Sequence, residues 1–366
     1  MEIDKTQKPK ICFVALATYP VLARMNLDLV GGAEIQQVLL ARELKKRSFD
    51  ISLVVFDFGQ ESPKIIDSIK IFKACKPNDY KNPYSIFSIL KALNQSKANI
   101  YYVRGGKLLV GLVALYCRLK RKKLVYSVAS DRSIDIEKNS FDTIIFKSAL
   151  KNSHIIITQN EYQQRLLKKN FNKNSILVKS HILLNNEKPE KITPPIILWV
   201  STLKKKWKQP ELFLKLAKEV PDAKFQMVGG PSKDDPQYFE RIKRLADEIP
   251  NLDFVGFVPH HEIDKYFNRA SIFVNTSSVE GFPNTFLQAW ASYTPIVSLN
   301  VDPDEIICKY NLGFHSKTFE QMVKDVKLLI HDEELRKKLG ENGRRYVELE
   351  HDIKKIVEIY IRLFQK

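Results

Sequence analysis

The sequence predicts an α/β protein made of two doubly wound, Rossmann-like domains that face a central cleft. Three observations predict it. The chain has 366 residues, well above the usual size of one domain. Short apolar runs alternate with helical patterns along most of it, as parallel strands covered on both faces require. A polar, proline-marked stretch at 185–195 interrupts this rhythm, which then restarts. With 44% hydrophobic and 28% charged residues, 13 Gly and 17 Pro, the composition excludes disordered and collagen-like chains.

In the first domain, 1–185, a buried strand at 11–18 is ended by Pro20. The Gly31-Gly32 pair then opens a helical pattern through Ala33, Ile35, Val38, Leu39 and Leu44. Apolar strands follow at 51–58, 100–103, 124–128 and 155–158, with helical segments between them. The second domain, 186–345, begins after the linker with a strand at 196–200 and a helix at 211–219. A strand at 224–228 stops at Gly229-Gly230, and a helix follows at 238–249. Strands at 252–255, 272–275 and 296–298 alternate with helices at 262–269 and 285–292. Helices dominate from Thr318 onward, with Gly340 and Gly343 read as punctuation between them. The terminal helix, 346–366, is expected to pack back on the first domain. No internal repeat appears. In such folds ligands bind outside the carboxyl ends of the strands, which here line the cleft.

The net charge of +17 is uneven: residues 1–185 carry 31 Lys+Arg against 15 Asp+Glu, and the remainder 28 against 27. A basic first half points to nucleic acid, an anionic membrane or a phosphorylated substrate. No nucleic-acid-binding module is recognisable, so no nucleic acid is expected. The longest apolar run, 108–117, falls short of the ~20 residues that span a bilayer, and the first ten residues are too polar for a signal peptide. The expected location is therefore cytoplasmic, with peripheral attachment to the inner face of the membrane. Two segments can rest on an anionic membrane surface: 108–123, ending in Arg118, Lys120, Arg121, Lys122 and Lys123, and 165–179, where Leu166, Leu167, Phe171 and Ile176 interleave with lysines. The four cysteines are far apart with no CxxC pair, which suits packing thiols in a reduced compartment. His260 and His261 are adjacent without an HExxH or carboxylate cluster, so no metal is expected.

Three segments can carry chemistry. Gly31-Gly32-Ala33-Glu34 lies between a strand and a helix, where backbone N–H groups either cradle a phosphate at the positive end of the helix dipole or merely make a tight turn. Lys204, Lys205, Lys206 and Lys208 follow the strand at 196–200 and offer cations for a diphosphate, Lys208 first among them; Trp207 stacks on a ligand or packs. The run Glu280-Gly281-Phe282-Pro283-Asn284-Thr285 follows the strand at 272–275 and opens a helix, a second place for an anion. Glu280 is placed to accept hydrogen bonds from sugar hydroxyls, and Asn284 serves as helix N-cap or as a ligand contact.

The order and spacing of GGAE, LARELKKRSFDISLV, ILWVSTLKKKWKQPELFLKLA, FQMVGG, LDFVGFVPHHEIDKYFNRASIFVNTS and EGFPNTFLQAWASYTPIV resemble those of the GT-B glycosyltransferases, specifically the retaining family four, over almost the whole chain. The resemblance implies a hexosyltransferase-type enzyme that moves a sugar from a nucleotide-sugar of the UDP or GDP type, a substrate rather than a cofactor, to a glycan, with a lipid-linked acceptor expected and anomeric configuration retained. It implies Lys208 and Glu280 as the catalytic pair, Lys208 on the diphosphate and Glu280 on the donor sugar. Donor-binding positions would be Gly31, Gly32, Thr202, Lys204, Gly229, Gly230, Phe282, Pro283, Asn284, Thr285 and Gln288, with Phe257, Val258 and Pro259 along the nucleobase. No metal or other cofactor is implied.

Three positions depart from the family pattern. Gln288 stands where a second glutamate usually binds the ribose, Thr202 where an arginine is usual, and Tyr102-Val103-Arg104-Gly105-Gly106 where a histidine is often found. Arg104 or Asp131 then becomes the expected acceptor contact. The alternative is a non-catalytic nucleotide-sugar or glycan-binding homologue.

Overall fold

The structure is a computed structural model, and it describes residues 8–25, 31–80, 82–135, 141–232 and 235–365. They form two compact units. The first takes the chain as far as Leu183 together with the last helix from Ile353, and the second takes Leu184 to Asp352.

The first unit begins with β1 (Ile11–Val14), a fully buried run that ends before the short helix α1 (Tyr19–Leu22). Helix α2 (Gly32–Lys46) leads to β2 (Ile51–Val55), and β3 (Lys64–Ile66) and β4 (Ile69–Lys73) form a hairpin. Then come α3 (Ser85–Ser96), β5 (Ile100–Arg104), α4 (Lys107–Leu119), β6 (Lys123–Ser127), α5 (Phe141–Asn152), β7 (Ile155–Thr158), α6 (Glu161–Phe171) and β8 (Ile176–Leu177). The eight strands lie in the order β3-β4-β2-β1-β5-β6-β7-β8, all parallel except β3 against β4. That antiparallel edge hairpin was not legible in the sequence. Its first strand is half exposed and lacks the apolar run that marks a doubly covered strand.

In the second unit β9 (Ile196–Val200) is followed by the single turn α7 (Lys205–Lys208), α8 (Pro210–Glu219), β10 (Lys224–Val228), α9 (Pro236–Asp247), β11 (Leu252–Gly256) and α10 (Asp264–Arg269). Next are β12 (Ile272–Asn275), α11 (Asn284–Ala291), β13 (Ile296–Ser298), α12 (Ile306–Lys309), β14 (Gly313–His315), α13 (Phe319–His331) and α14 (Glu333–Glu350). The six strands are parallel in the order β11-β10-β9-β12-β13-β14. The expected strands at 196–200, 224–228, 272–275 and 296–298 coincide with β9, β10, β12 and β13.

Gly340 and Gly343 do not break a helix; both lie inside α14. They are glycines for close packing: a Cβ on Gly340 would stand 2.2 Å from the Tyr293 carbonyl, and one on Gly343 would stand 2.4 Å from the Trp290 ring. The chain also returns to the first unit at Ile353 rather than at 346, because α14 runs on through Tyr346 and Val347, both buried. The last helix, α15 (Ile353–Gln365), buries Ile353, Ile356, Val357, Tyr360, Leu363 and Phe364, a spacing that marks one helical face. In the first unit's core, Tyr360 and Phe364 meet Tyr102 edge-on at centroid distances of 6.1 and 6.5 Å. Burying side chains of this size stabilises by about 1.5–3 kcal/mol each, so the helix is a structural part of that unit.

Candidate functional site

The second sheet winds outward from β9 through β10 to β11, and then β12 returns to the other side of β9. The winding reverses between β9 and β12, and the loops after these two strands leave the sheet side by side. This is where open α/β sheets bind ligands. The loop after β9 carries Thr202, Lys204 and Lys208; the loop after β12 carries Glu280 and Phe282 to Thr285. Strand adjacency therefore joins residues 72 positions apart: Lys208 Nζ donates to Glu280 Oε1, with the two side chains 23% and 19% exposed.

The two loops are fastened together at several points. Thr276 Oγ1 accepts from the Trp199 indole at 2.9 Å and donates to the Lys208 carbonyl at 2.7 Å. Ser278 N donates to the Trp207 carbonyl at 2.9 Å, and Ser277 Oγ donates to Glu280 Oε1 at 2.9 Å. Gln209, immediately after Lys208, holds a left-handed φ of 47°, a conformation that costs a non-glycine residue about 1–2 kcal/mol. Such strain fits a backbone held in place by its surroundings. Thr276, Ser277 and Trp199 were missed in the sequence, since a Thr-Ser pair after a strand and a buried tryptophan carry no chemical signature alone.

The lysine run splits in two. Lys204, Lys205 and Lys206 are exposed, and Lys206 lies 4.6 Å over the Trp207 ring, whereas Lys208 turns inward. Thr202 is half-buried beside Leu203, whose N–H donates to the Gly230 carbonyl at 3.0 Å. Gly229 must be glycine, because a Cβ there would stand 2.2 Å from the Ser201 carbonyl. Val258 and Pro259 follow β11, two strands from β9, at the same carboxyl edge. Pro283 occupies the N-cap position of α11, so Asn284 is the first helical residue and not the cap; Thr285 follows it in the first turn, at the positive end of the dipole. Phe282 packs on the His351 ring at 5.1 Å. Gln288, one turn into α11, donates to Asp264 Oδ1 at 3.4 Å, which sets a carboxylate beside the amide.

In the first unit, Gly31 N donates to Glu34 Oε2 at 3.0 Å, so this amide of the expected phosphate cradle is engaged by the helix's own capping box. Gly32 is the first residue of α2. Burial pushes the Glu34 carboxyl up, while the Gly31 hydrogen bond and the charge of Arg104 pull it down. Arg104 and Asp131 belong to one polar chain: Arg104 Nη2 donates to Gln159 Oε1 at 2.8 Å, Gln159 N to Gln163 Oε1 at 3.0 Å, and Gln163 Nε2 to Asp131 Oδ1 at 2.8 Å. His260 and His261 sit in a short turn where His261 faces Glu262 at 3.7 Å. Among the described residues a different trio, Asp302, Cys308 and His315, brings potential metal-ligand atoms within 4.8 Å of one another. Asp302 there already accepts from Ile307 N at 2.8 Å, an amide of the first turn of α12. A pocket at the opposite, amino ends of β1 and β2, lined by Lys10, Asp50, Ser52 and Lys70, lies away from all of these residues.

The membrane-facing candidates also separate. In 165–179, Leu167 is fully buried and Leu166 and Phe171 pack against the core, leaving Ile176 and lysines outside. On α4, Val110, Val113, Ala114, Tyr116 and Cys117 are buried, but Leu108, Leu115 and Leu119 are 48%, 54% and 73% exposed beside Arg118 and Lys120. No helix of the described residues is long and apolar enough to cross a membrane.

Residues 183–346 match the model of the family described as glycosyl transferases group 1. An uncharacterised glycosyltransferase of Haemophilus influenzae is 27% identical over 352 residues, covering 91% of this chain and 96% of that protein. The capsular polysaccharide biosynthesis glycosyltransferase CapM of Staphylococcus aureus is 31% identical over 86 residues, 23% of each chain. Among solved structures, sucrose-phosphate synthase from Thermosynechococcus elongatus superposes with a TM-score of 0.81 at 15% identity, covering 98% of this chain and 99% of that one. Anabaena HepE in complex with UDP-glucose superposes with a TM-score of 0.73 at 14% identity, covering 97% and 98%.

Proposed function

We propose that this chain, a glycosyltransferase with the GT-B fold, moves a sugar from a nucleotide-sugar donor of the UDP or GDP type to a glycan acceptor that is lipid-linked, with retention of anomeric configuration. The observation that carries the reading is the meeting of Lys208 and Glu280 at the reversal point of the group 1 unit. HepE was solved with UDP and glucose, and with UDP-glucose, which supports a nucleotide-sugar here.

On this reading the difficult step is cleavage of the bond between the anomeric carbon and the diphosphate. Negative charge grows on the leaving phosphate oxygen. Lys208 and the amino end of α11 stabilise that charge more in the transition state than in the ground state. Glu280 accepts from hydroxyls of the transferred sugar and orients it. The leaving diphosphate oxygen takes the acceptor's proton as the new glycosidic bond forms on the same face. Positive charge from the protein does the work, so the reading calls for no resident metal. The exposed leucines and basic residues of α4 support attachment to an anionic membrane surface, beside a lipid-linked acceptor.

The test is a thermal-shift screen of nucleotide sugars, since a native-state binder raises Tm, followed by transfer assays with the donor found. Lys208→Ala and Glu280→Ala should each lower kcat by about 10²–10³, or ~2.7–4 kcal/mol, as for an oxyanion-type donor. A wild-type chain that binds donor yet transfers nothing across a broad acceptor panel would establish the non-catalytic reading instead, which the Gln288 and Thr202 departures favour.

A further inference from the structure

We infer that the first unit holds a binding site for an anionic group of the acceptor, a phosphate or a carboxylate, with the Arg104 guanidinium as its cation. The inference rests on the transferase reading above and names the chemistry of its acceptor. Strand order gives the place. From β1 the sheet winds outward through β2, and β5 then returns to the other side of β1; Arg104 is the last residue of β5. It therefore stands at the carboxyl edge of the reversal point, where open α/β sheets take ligands.

The chemistry follows from its surroundings. Arg104 is half-buried, yet its guanidinium donates to a neutral amide, Gln159 Oε1, at 2.8 Å. Among the described residues no carboxylate lies within 4.0 Å of it, and its Nε is buried without a hydrogen-bond partner. In the neighbouring strand Ser127 is in register with Arg104, so both side chains leave the same face; Ser127 Oγ is fully buried and also unpartnered. Gln159 cannot turn away. Its Nε2 donates to the Val128 and Ala129 carbonyls at 2.8 and 3.0 Å, and its Oε1 also accepts from Ser180 at 2.8 Å. Glu34 feels the Arg104 charge, which opposes the upward push of burial on its carboxyl, but it makes no ion pair with Arg104 within 4.0 Å.

A cation partly withdrawn from water, with its Nε buried and unpaired, is unfavourable until an anion pairs with it. The planar guanidinium fork matches phosphate and carboxylate oxygens, which make charge-assisted hydrogen bonds with it. Two sources share that chemistry: the phosphate of a lipid carrier and the carboxylate of an acidic sugar.

Geranyl phosphate and glucuronate, with geraniol and glucose as neutral counterparts, are titrated calorimetrically into the full chain and into Arg104→Gln, Arg104→Lys and Lys208→Gln. One of the two anions should bind wild type and bind Arg104→Gln about tenfold more weakly, the loss of one charge-assisted contact. The phosphate arm assigns a lipid carrier and the glucuronate arm an acidic sugar. Lys208→Gln should retain wild-type affinity for the anion. Arg104→Lys, which keeps the charge without the fork, should bind with intermediate affinity and covers the case in which Arg104→Gln does not fold. The inference is overturned if neither anion binds wild type, if the Arg104 variants bind as wild type does, or if Lys208→Gln loses as much affinity. Absence of donor turnover in wild type strikes the transferase reading alone and leaves the titrations interpretable.

Discussion

Thr276→Val keeps the volume of a fully buried side chain and deletes one hydroxyl. That hydroxyl links the Trp199 indole, 2.9 Å away, to the Lys208 carbonyl, 2.7 Å away. Both bonds vanish in the variant, and the indole N–H, on a tryptophan only 2% exposed, is left without an acceptor. Net hydrogen bonds of about 0.5–1.5 kcal/mol each, with an added penalty for the stranded donor, give about 2–4 kcal/mol of destabilisation. For a unit of this size that is a drop in Tm of roughly 5–15 °C. The second effect is on Lys208. Its loop still hangs from Ser278, whose N–H reaches the Trp207 carbonyl at 2.9 Å, so the loop shifts without detaching. A shift on the order of 1 Å costs about 10²-fold in rate, and it should appear in kcat more than in the KM for donor. Thr276→Ser keeps both bonds and should restore kcat, a rescue that lost stability alone does not explain. Melting curves and initial rates on the three proteins decide the matter. A valine variant that melts within about 1 °C of wild type and turns over normally refutes the positioning argument.

Gly343→Ala should lower Tm by a few degrees, because its Cβ falls 2.4 Å from a Trp290 ring held by the Leu312 carbonyl at 3.1 Å; overpacking of about 1–3 kcal/mol exceeds the helix-propensity gain of about 1 kcal/mol, and a rise in Tm contradicts this. Lys191 donates to Thr294 Oγ1 at 2.7 Å and to the Phe267 carbonyl at 3.2 Å, and burial pulls its amine from 10.5 down to about 7. The unfolded chain then binds the proton more tightly, so wild type should gain stability over Lys191→Met as pH rises from about 7 to about 10; parallel denaturation midpoints across that window would remove the lysine from the account. On α4, Arg118→Gln with Lys120→Gln should weaken co-sedimentation with phosphatidylglycerol vesicles roughly 30-fold, at about 1 kcal/mol per charge, and binding indifferent to these changes and to salt would take the membrane surface away from this helix.

What the sequence revealed, and what it hid, follows from where each signal lies along the chain. Strands such as Ile196–Val200 and Ile272–Asn275 are buried on both faces, so their apolar runs are continuous and legible. The hairpin Lys64–Ile66 with Ile69–Lys73 is an edge, half-covered, and leaves no such run. Gly340 and Gly343 were misread because a glycine for backbone freedom and a glycine for close approach are spelled alike; only the Trp290 and Tyr293 atoms opposite tell them apart. Lys208 and Glu280 were visible because each follows a strand and carries charge. Their meeting depends on β12 lying beside β9, a topological fact that residues 72 apart do not announce. Thr276 was invisible for the same reason, since its importance lies in partners at 199 and 208.

The pairing of Lys208 with Glu280 bears on how the site would work. Each side chain is only about one-fifth exposed, and a lone charge so placed is costly. Paired, each offsets the other's lost hydration without reaching into solvent. A nucleotide-sugar offers replacements for both members at once, a diphosphate for the lysine and hydroxyl donors for the carboxylate. Either half alone would strand one charge: inorganic diphosphate leaves Glu280 unpaired, and a free sugar leaves Lys208 unpaired. On the proposed reading the ion pair would thereby favour the intact donor over its fragments through the fragments' penalty, the kind of discrimination that comes from leaving a buried polar group unsatisfied. Ser277 would strengthen that effect, because its hydroxyl already donates to Glu280 Oε1 at 2.9 Å and would hold the carboxylate in place as the lysine turned to the diphosphate.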